Sequence, residues 1–106
     1  MGGFFLGIEE KEPEKKQVQV VVSKLVIDAL KPREISIVDI ADMICLLNGV
    51  KQVNITVREV DARTETIRIT IYGEGLDVKL LNEALSRNGI AIRSIDEVSA
   101  EKSEQQ

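Results

Sequence analysis

The chain has 106 residues, 43% of them apolar, with 14 basic and 18 acidic side chains and a formal net charge of -4. This length fits one domain with short tails, the apolar share is too high for a disordered chain, and the acidic balance argues against a general polyanion binder. The single cysteine, Cys45, excludes an intramolecular disulfide, and no run of about 18 apolar residues could form a membrane span, so a cytoplasmic protein with no membrane partner is expected.

Residues 1–17 read as an N-terminal extension. Gly2-Gly3 is followed by a charge run from Glu9 to Lys16 around Pro13, which suggests a flexible tail. The other reading is an arm whose Phe4, Phe5 and Ile8 dock on a neighbouring subunit. The Phe4-Phe5-Leu6 run is too short for a signal-peptide core and lacks preceding basic residues.

A domain over 18–99 follows. Its first strand is expected from about Val20 to Leu30, where Leu25, Ile27 and Ala29 alternate with Val26 and Asp28. Pro32 lacks an amide donor and constrains Lys31, so the strand should stop there. Ser36 is a good N-cap for a helix that places Ile37, Ile40, Ala41, Ile44, Cys45 and Leu47 on one face, with Gly49 as its left-handed stop. A second strand over about Val53 to Val60 and a third around Ile67, Ile69 and Ile71 make a hairpin across the Asp61–Thr64 turn. Gly73-Glu74-Gly75 breaks the third strand. Asp77 caps a second helix carrying Leu80, Leu81, Ala84 and Leu85, which Gly89 closes. The last strand is expected over about Ile90 to Val98, with 100–106 as a polar C-terminal tail.

The helix stop Leu47-Asn48-Gly49-Val50 recurs as Arg87-Asn88-Gly89-Ile90, and Ile40, Ala41, Ile44 and Cys45 align with Leu80, Leu81, Ala84 and Leu85. Right-handed crossovers around a central hairpin then favour an α+β fold. It is a ferredoxin-like βαββαβ two-layer sandwich with antiparallel sheet order 4-1-3-2 and both helices on one face.

Such a sheet has an uncovered face, expected to carry Lys24, Val26, Asp28, Asn54, Thr56, Arg58, Arg68, Thr70 and Arg93. The plain reading is a solvated surface on which Asp28 pairs Arg68 across adjacent strands. The sharper reading is an anion site or an oligomer interface carried by Arg58, Arg68 and Arg93. Strand aromatics that could stack bases are missing from this face, so nucleic acid is not an expected partner.

Catalytic chemistry is sparse. There is no histidine, which removes the commonest general base and nucleophile partner. Cys45 falls on the apolar helix stripe and reads as core. Zinc and iron-sulfur sites are implausible with one cysteine and no histidine. The carboxylates Glu59, Asp61 and Glu65 near the hairpin, and Asp96 and Glu97 in the last strand, are the candidate metal ligands. Oxygen ligands suit calcium or magnesium, although no EF-hand spacing is present. No other cofactor is identified, and an enzyme is not expected.

Lys24-Leu25-Val26-Ile27-Asp28-Ala29-Leu30-Lys31-Pro32, Val53-Asn54-Ile55-Thr56-Val57, Glu59-Val60-Asp61 with Thr64-Glu65, and Ser94-Ile95-Asp96-Glu97-Val98 together resemble a small archaeal family catalogued as a domain of unknown function, number 211. The resemblance covers about residues 23 to 100. It implies a ferredoxin-like fold and ring-like homo-oligomers, and no settled activity. Arg33 and Ile35 depart from the family's Lys-Pro-His-Glu-Pro loop, and Gly75 and Leu76 dilute its acidic stretch before the second helix. The expected function is a non-enzymatic homo-oligomeric module that binds a small ligand or ion at subunit contacts in a regulatory role. The expected ligand residues are Asp28, Lys31, Ser36 and Asn54. The alternative is a purely structural self-assembly protein, with a metal-dependent enzyme or a nucleic-acid binder ranked behind both.

Overall fold

The structure, a computed structural model, describes residues 17–105; Phe4, Phe5, Ile8 and the rest of residues 1–16, which hold most of the expected extension, lie outside the described residues, as does Gln106. In chain order the elements are β1 (Gln17–Pro32), α1 (Ile37–Cys45), β2 (Val50–Val60), β3 (Thr64–Gly73), α2 (Val78–Arg87) and β4 (Ala91–Gln105). The strands form one antiparallel sheet in the order β2-β3-β1-β4. This is the expected order, and with the two helices it makes an α+β βαββαβ arrangement.

Period-2 patterning decides which face the helices cover. Leu25, Ile27 and Ala29 of β1 and Ile67, Ile69 and Ile71 of β3 are almost wholly buried. They form one core with Ile40 and Ile44 of α1 and Leu81 and Leu85 of α2. Fully burying each of these leucine and isoleucine side chains stabilises the fold by about 1.5–3 kcal/mol. β1 and β3 pair in unbroken register from Lys24 opposite Tyr72 to Pro32 opposite Thr64. The central pair is therefore regular, and the irregularities fall on its partners.

Register shifts leave Lys51 and Arg58 of β2, and Arg93 and Asp96 of β4, outside the pairing, with Ser23 skipped in β1. Each is a β-bulge, and each reverses which face the following residues occupy. On β2, Val57 stands opposite inward-facing Ile67, whereas Glu59 stands opposite Thr66 on the open face. On β1, the bulge at Ser23 turns Val22, Val20 and Val18 toward the helix side, opposite Ala100, Lys102 and Glu104.

The helix ends follow local chemistry. The Ser36 hydroxyl accepts from the Val38 amide at 3.0 Å, and Asp77 Oδ1 accepts from the Leu80 amide at 3.1 Å. α2 ends in a Schellman arrangement: Gly89 N donates to Ser86 O, and Ile90 N donates to Leu85 O. α1 does not end the same way. It stops at Cys45, and Gly49 (φ +88°) instead shapes the entry to β2. There the Gly49 carbonyl accepts from the Glu74 amide at 2.8 Å, and a Cβ on Gly73 would lie 1.9 Å from the same oxygen.

Other differences from expectation have physical causes. β1 starts at Gln17, and β4 continues through the residues read as a tail to Gln105, because Gln17–Val22 and Ala100–Gln105 pair with each other. They form a two-stranded ribbon beyond the reach of β3, which the polar composition of 100–106 did not announce. Cys45 is exposed, not core, since it ends the helix and lies beyond the sheet's cover. Val57 is 37% exposed because it sits on an edge strand near the hairpin.

Candidate functional site

The open face of the sheet carries a concave patch of about 260 Å³ lined by Asp28, Arg58, Glu59, Thr66, Arg68 and Arg93. Asp28 and Arg68 are register partners on the two central strands. Arg58 and Arg93 come from the outer strands, and both are unpaired bulge residues. Strand parity turns both guanidinium groups to the open face, one from each side of the hollow. The β2 bulge also turns Glu59 outward beside Arg58.

The expected pairing of Asp28 with Arg68 is not the one formed. Arg93 Nε lies 3.4 Å from Asp28 Oδ2, and Arg93 Nη1 donates to Thr66 Oγ1 at 3.3 Å. The bulge swings Arg93 over β1, so Asp28 is neutralised from the β4 side. Among the described residues, Arg58 and Arg68 have no carboxylate within 4.0 Å. Thr66 is 8% exposed, and its hydroxyl accepts from Arg93 while its proton has no acceptor among the described residues.

Further along the same face, Lys24 Nζ lies 2.8 Å from Glu97 Oε2 and 5.6 Å from the centre of the Tyr72 ring. The hydrogen bond that the Lys24 ammonium donates to the Glu97 carboxylate raises the Lys24 pKa above the ordinary lysine value, partly opposed by burial.

The residues expected to bind ligand do not converge. Asp28 lines the patch, but Lys31 is on the opposite face of β1, 1% exposed. It pairs with Glu65 at 2.7 Å and donates to the carbonyls of Pro32 at 3.0 Å and Arg33 at 3.4 Å. Ser36 is spent on capping α1. Asn54 is exposed on β2 opposite Thr70 and outside the patch lining. Period 2 explains the failure: positions 28 and 31 have opposite parity on one strand.

The DUF211 family model, described as an uncharacterized ArCR group, matches residues 23–104, which include every residue lining the patch. The chain belongs to the DUF211 family. The uncharacterized protein MJ0319 of Methanocaldococcus jannaschii is 42% identical over 81 residues, covering 76% of this chain and 84% of that protein.

The carboxylates read as metal ligands are dispersed in this DUF211 chain. Among the described residues, no three side chains of metal-binding type gather to hold an ion. Glu65 faces the helices and holds Lys31, while the bulge at Arg58 puts Glu59 on the other face. Glu97 pairs Lys24, and Asp96 Oδ1 accepts from the Ser94 hydroxyl at 2.7 Å. Asp61 lies in the hairpin connection, where its amide donates to Thr64 O at 2.8 Å. No helix among the described residues is long and apolar enough to cross a membrane. Thr66 and Glu59 are the two patch residues not expected on this face. Thr66 shares the parity of Arg68 and Thr70 and could have been read from it, whereas Glu59 reaches the open face only through a bulge that leaves no mark in the sequence.

Proposed function

We propose that this DUF211 protein is a non-enzymatic, ferredoxin-like module of the cytoplasm that assembles with copies of itself into a ring-like homo-oligomer. In this reading it carries a small regulatory ligand on its open sheet face. One observation bears most of the assembly reading. On the helix side of the sheet, beyond the cover of α1 and α2, Val18 (56% exposed), Val20 (70%), Ile95 (46%) and Val98 (57%) form an apolar strip along β1 and β4. Beside it runs the outer edge of β4, a 15-residue strand that no further strand among the described residues pairs. Long apolar edges of this kind invite pairing with another chain. A second copy supplies both needs, an apolar counter-surface and a strand edge, which is why the occupant is taken to be this chain.

Native mass spectrometry and light scattering at micromolar concentration test the assembly. Val20→Glu combined with Val98→Glu should reduce the mass to that of the monomer while the far-ultraviolet circular dichroism is retained. Position 20 lies opposite Lys102, so the ribbon itself tolerates an acidic residue there. A wild-type chain that is monomeric under these conditions overturns the assembly reading.

A further inference from the structure

The patch on the open face is built with more cationic groups than it uses. Its three arginines face two carboxylates, in a chain whose overall charge is negative. Arg93 and Asp28 satisfy each other at 3.4 Å. That leaves Arg58 and Arg68 on adjacent strands with no ion pair among the described residues. Thr66, 8% exposed as a residue, still has a hydroxyl proton to donate at the floor. Glu59 is the one carboxylate left facing them.

Strand parity alone puts Arg58, Arg68, Arg93 and Asp28 on the open face, since Val57 and Ile92 of the outer strands stand opposite the inward-facing Ile67 and Ala29. The bulges at Arg58 and Arg93 add the residue that follows each, Glu59 and Ser94, to the same face beside the hollow. The central strands β1 and β3 supply Asp28, Thr66 and Arg68 from unbroken register, which gives a rigid floor. Guanidinium groups present fixed forks of N–H donors that match the two oxygens of a carboxylate or phosphoryl group.

We infer that the hollow lined by Arg58, Arg68, Arg93 and Thr66 is a binding site for a small oxyanion, the carboxylate or phosphoryl group of a metabolite. Arg58 and Arg68 take the anion from two sides, Thr66 donates from below, and Asp28 holds Arg93 in place. The volume of about 260 Å³ lies just below the range of ordinary small-molecule sites, so the ligand is small. A nucleic-acid strand does not fit the chemistry, because the lining has no aromatic side chain on which a base could stack. Glu59 at the rim disfavours highly charged polyanions and leaves room for a ligand that also carries a donor.

This inference names the ligand class for the ligand half of the function proposed above and does not depend on the assembly half. The test is isothermal titration of the full chain with inorganic phosphate and, separately, with succinate. Ionic strength is held constant with sodium chloride so that general screening is not read as binding. Saturable binding of either probe supports the site, and the probe that binds identifies the group as phosphoryl or carboxylate. Arg58→Gln and Arg68→Gln should each weaken that binding by about tenfold or more, since each removes charge-assisted hydrogen bonds. Lys51→Gln, on the same edge strand but outside the hollow, should leave it unchanged. No heat beyond that of added chloride, or binding equal in the Arg58→Gln and Arg68→Gln proteins, overturns the site. Mass spectrometry of the same samples reports assembly, so loss of the anion site and loss of the oligomer are read separately.

Discussion

Lys31 follows a different logic from the arginines. Among the described residues it is the most buried charged one, 1% exposed, and its ammonium is enclosed by the Glu65 carboxylate and the carbonyls of Pro32 and Arg33. A buried lysine has only three donors to satisfy, and here every one has an acceptor. The pair ties the end of β1 and the loop before α1 to the start of β3. Removing one member leaves the other charge without its partner, which is worse than removing both. Lys31→Ala should therefore lower the unfolding free energy by about 3 kcal/mol, a figure at the low end for buried pairs because Glu65 is itself 17% exposed. The double variant Lys31→Met, Glu65→Leu should lie closer to wild type. Urea unfolding of the two proteins measures the difference, and equal losses would mean that the pair itself contributes little.

The elements are joined by two turns that look alike in sequence and act differently. Asn88-Gly89 ends α2 by satisfying its last carbonyls, whereas Asn48-Gly49 lies past the end of α1 and brings the backbone at Gly49 against the end of β3. The second task is the stricter one. A methyl group on Gly73 would sit 1.9 Å from a backbone oxygen, and a backbone cannot yield as a side chain can. Gly73→Ala should thus separate the α1–β2 turn from the end of β3 and destabilise the protein by about 2 kcal/mol or more. In a domain of this size that is a fall of roughly 10 °C in melting temperature. Differential scanning calorimetry gives the value, and a fall of a degree or two would mean that the two segments separate without loss.

At the scale of the molecule, stability is unevenly distributed. The four-stranded body is anchored by two helices, but among the described residues no third strand pairs with the Gln17–Val22 and Ala100–Gln105 ribbon and no helix lies beneath it. An isolated two-stranded ribbon is at best marginally stable in water. If copies pack on this ribbon, its amides should be slow to exchange in the wild-type protein. In the Val20→Glu, Val98→Glu variant they should exchange nearly as fast as unstructured chain, while Leu25–Leu30 and Ile67–Ile71 remain protected. Hydrogen exchange followed by mass spectrometry makes the comparison. Equal ribbon protection in both proteins would show that it owes nothing to a partner.

Strand count, helix placement, sheet order and both N-caps were legible in the sequence because they rest on local signals. Period 2 in Leu25-Val26-Ile27-Asp28 and Ile67-Arg68-Ile69, helical spacing in Ile37-Ile40-Ile44, and the oxygens of Ser36 and Asp77 act over a few residues, and backbone sterics translate them directly. The cluster of Asp28, Arg58, Arg68 and Arg93 on one face was legible for the same reason. The bulges were not. They depend on which residue of a partner strand stands opposite, and an unpaired residue at position 58 or 93 reverses the facing of those that follow, on β4 until a second one at Asp96 restores it. Only the tertiary structure could give Asp28 to Arg93, scatter the carboxylates and extend β4 along β1 to Gln105. Each of these is decided by pairing between distant segments, and such pairing is fixed only when the whole sheet closes.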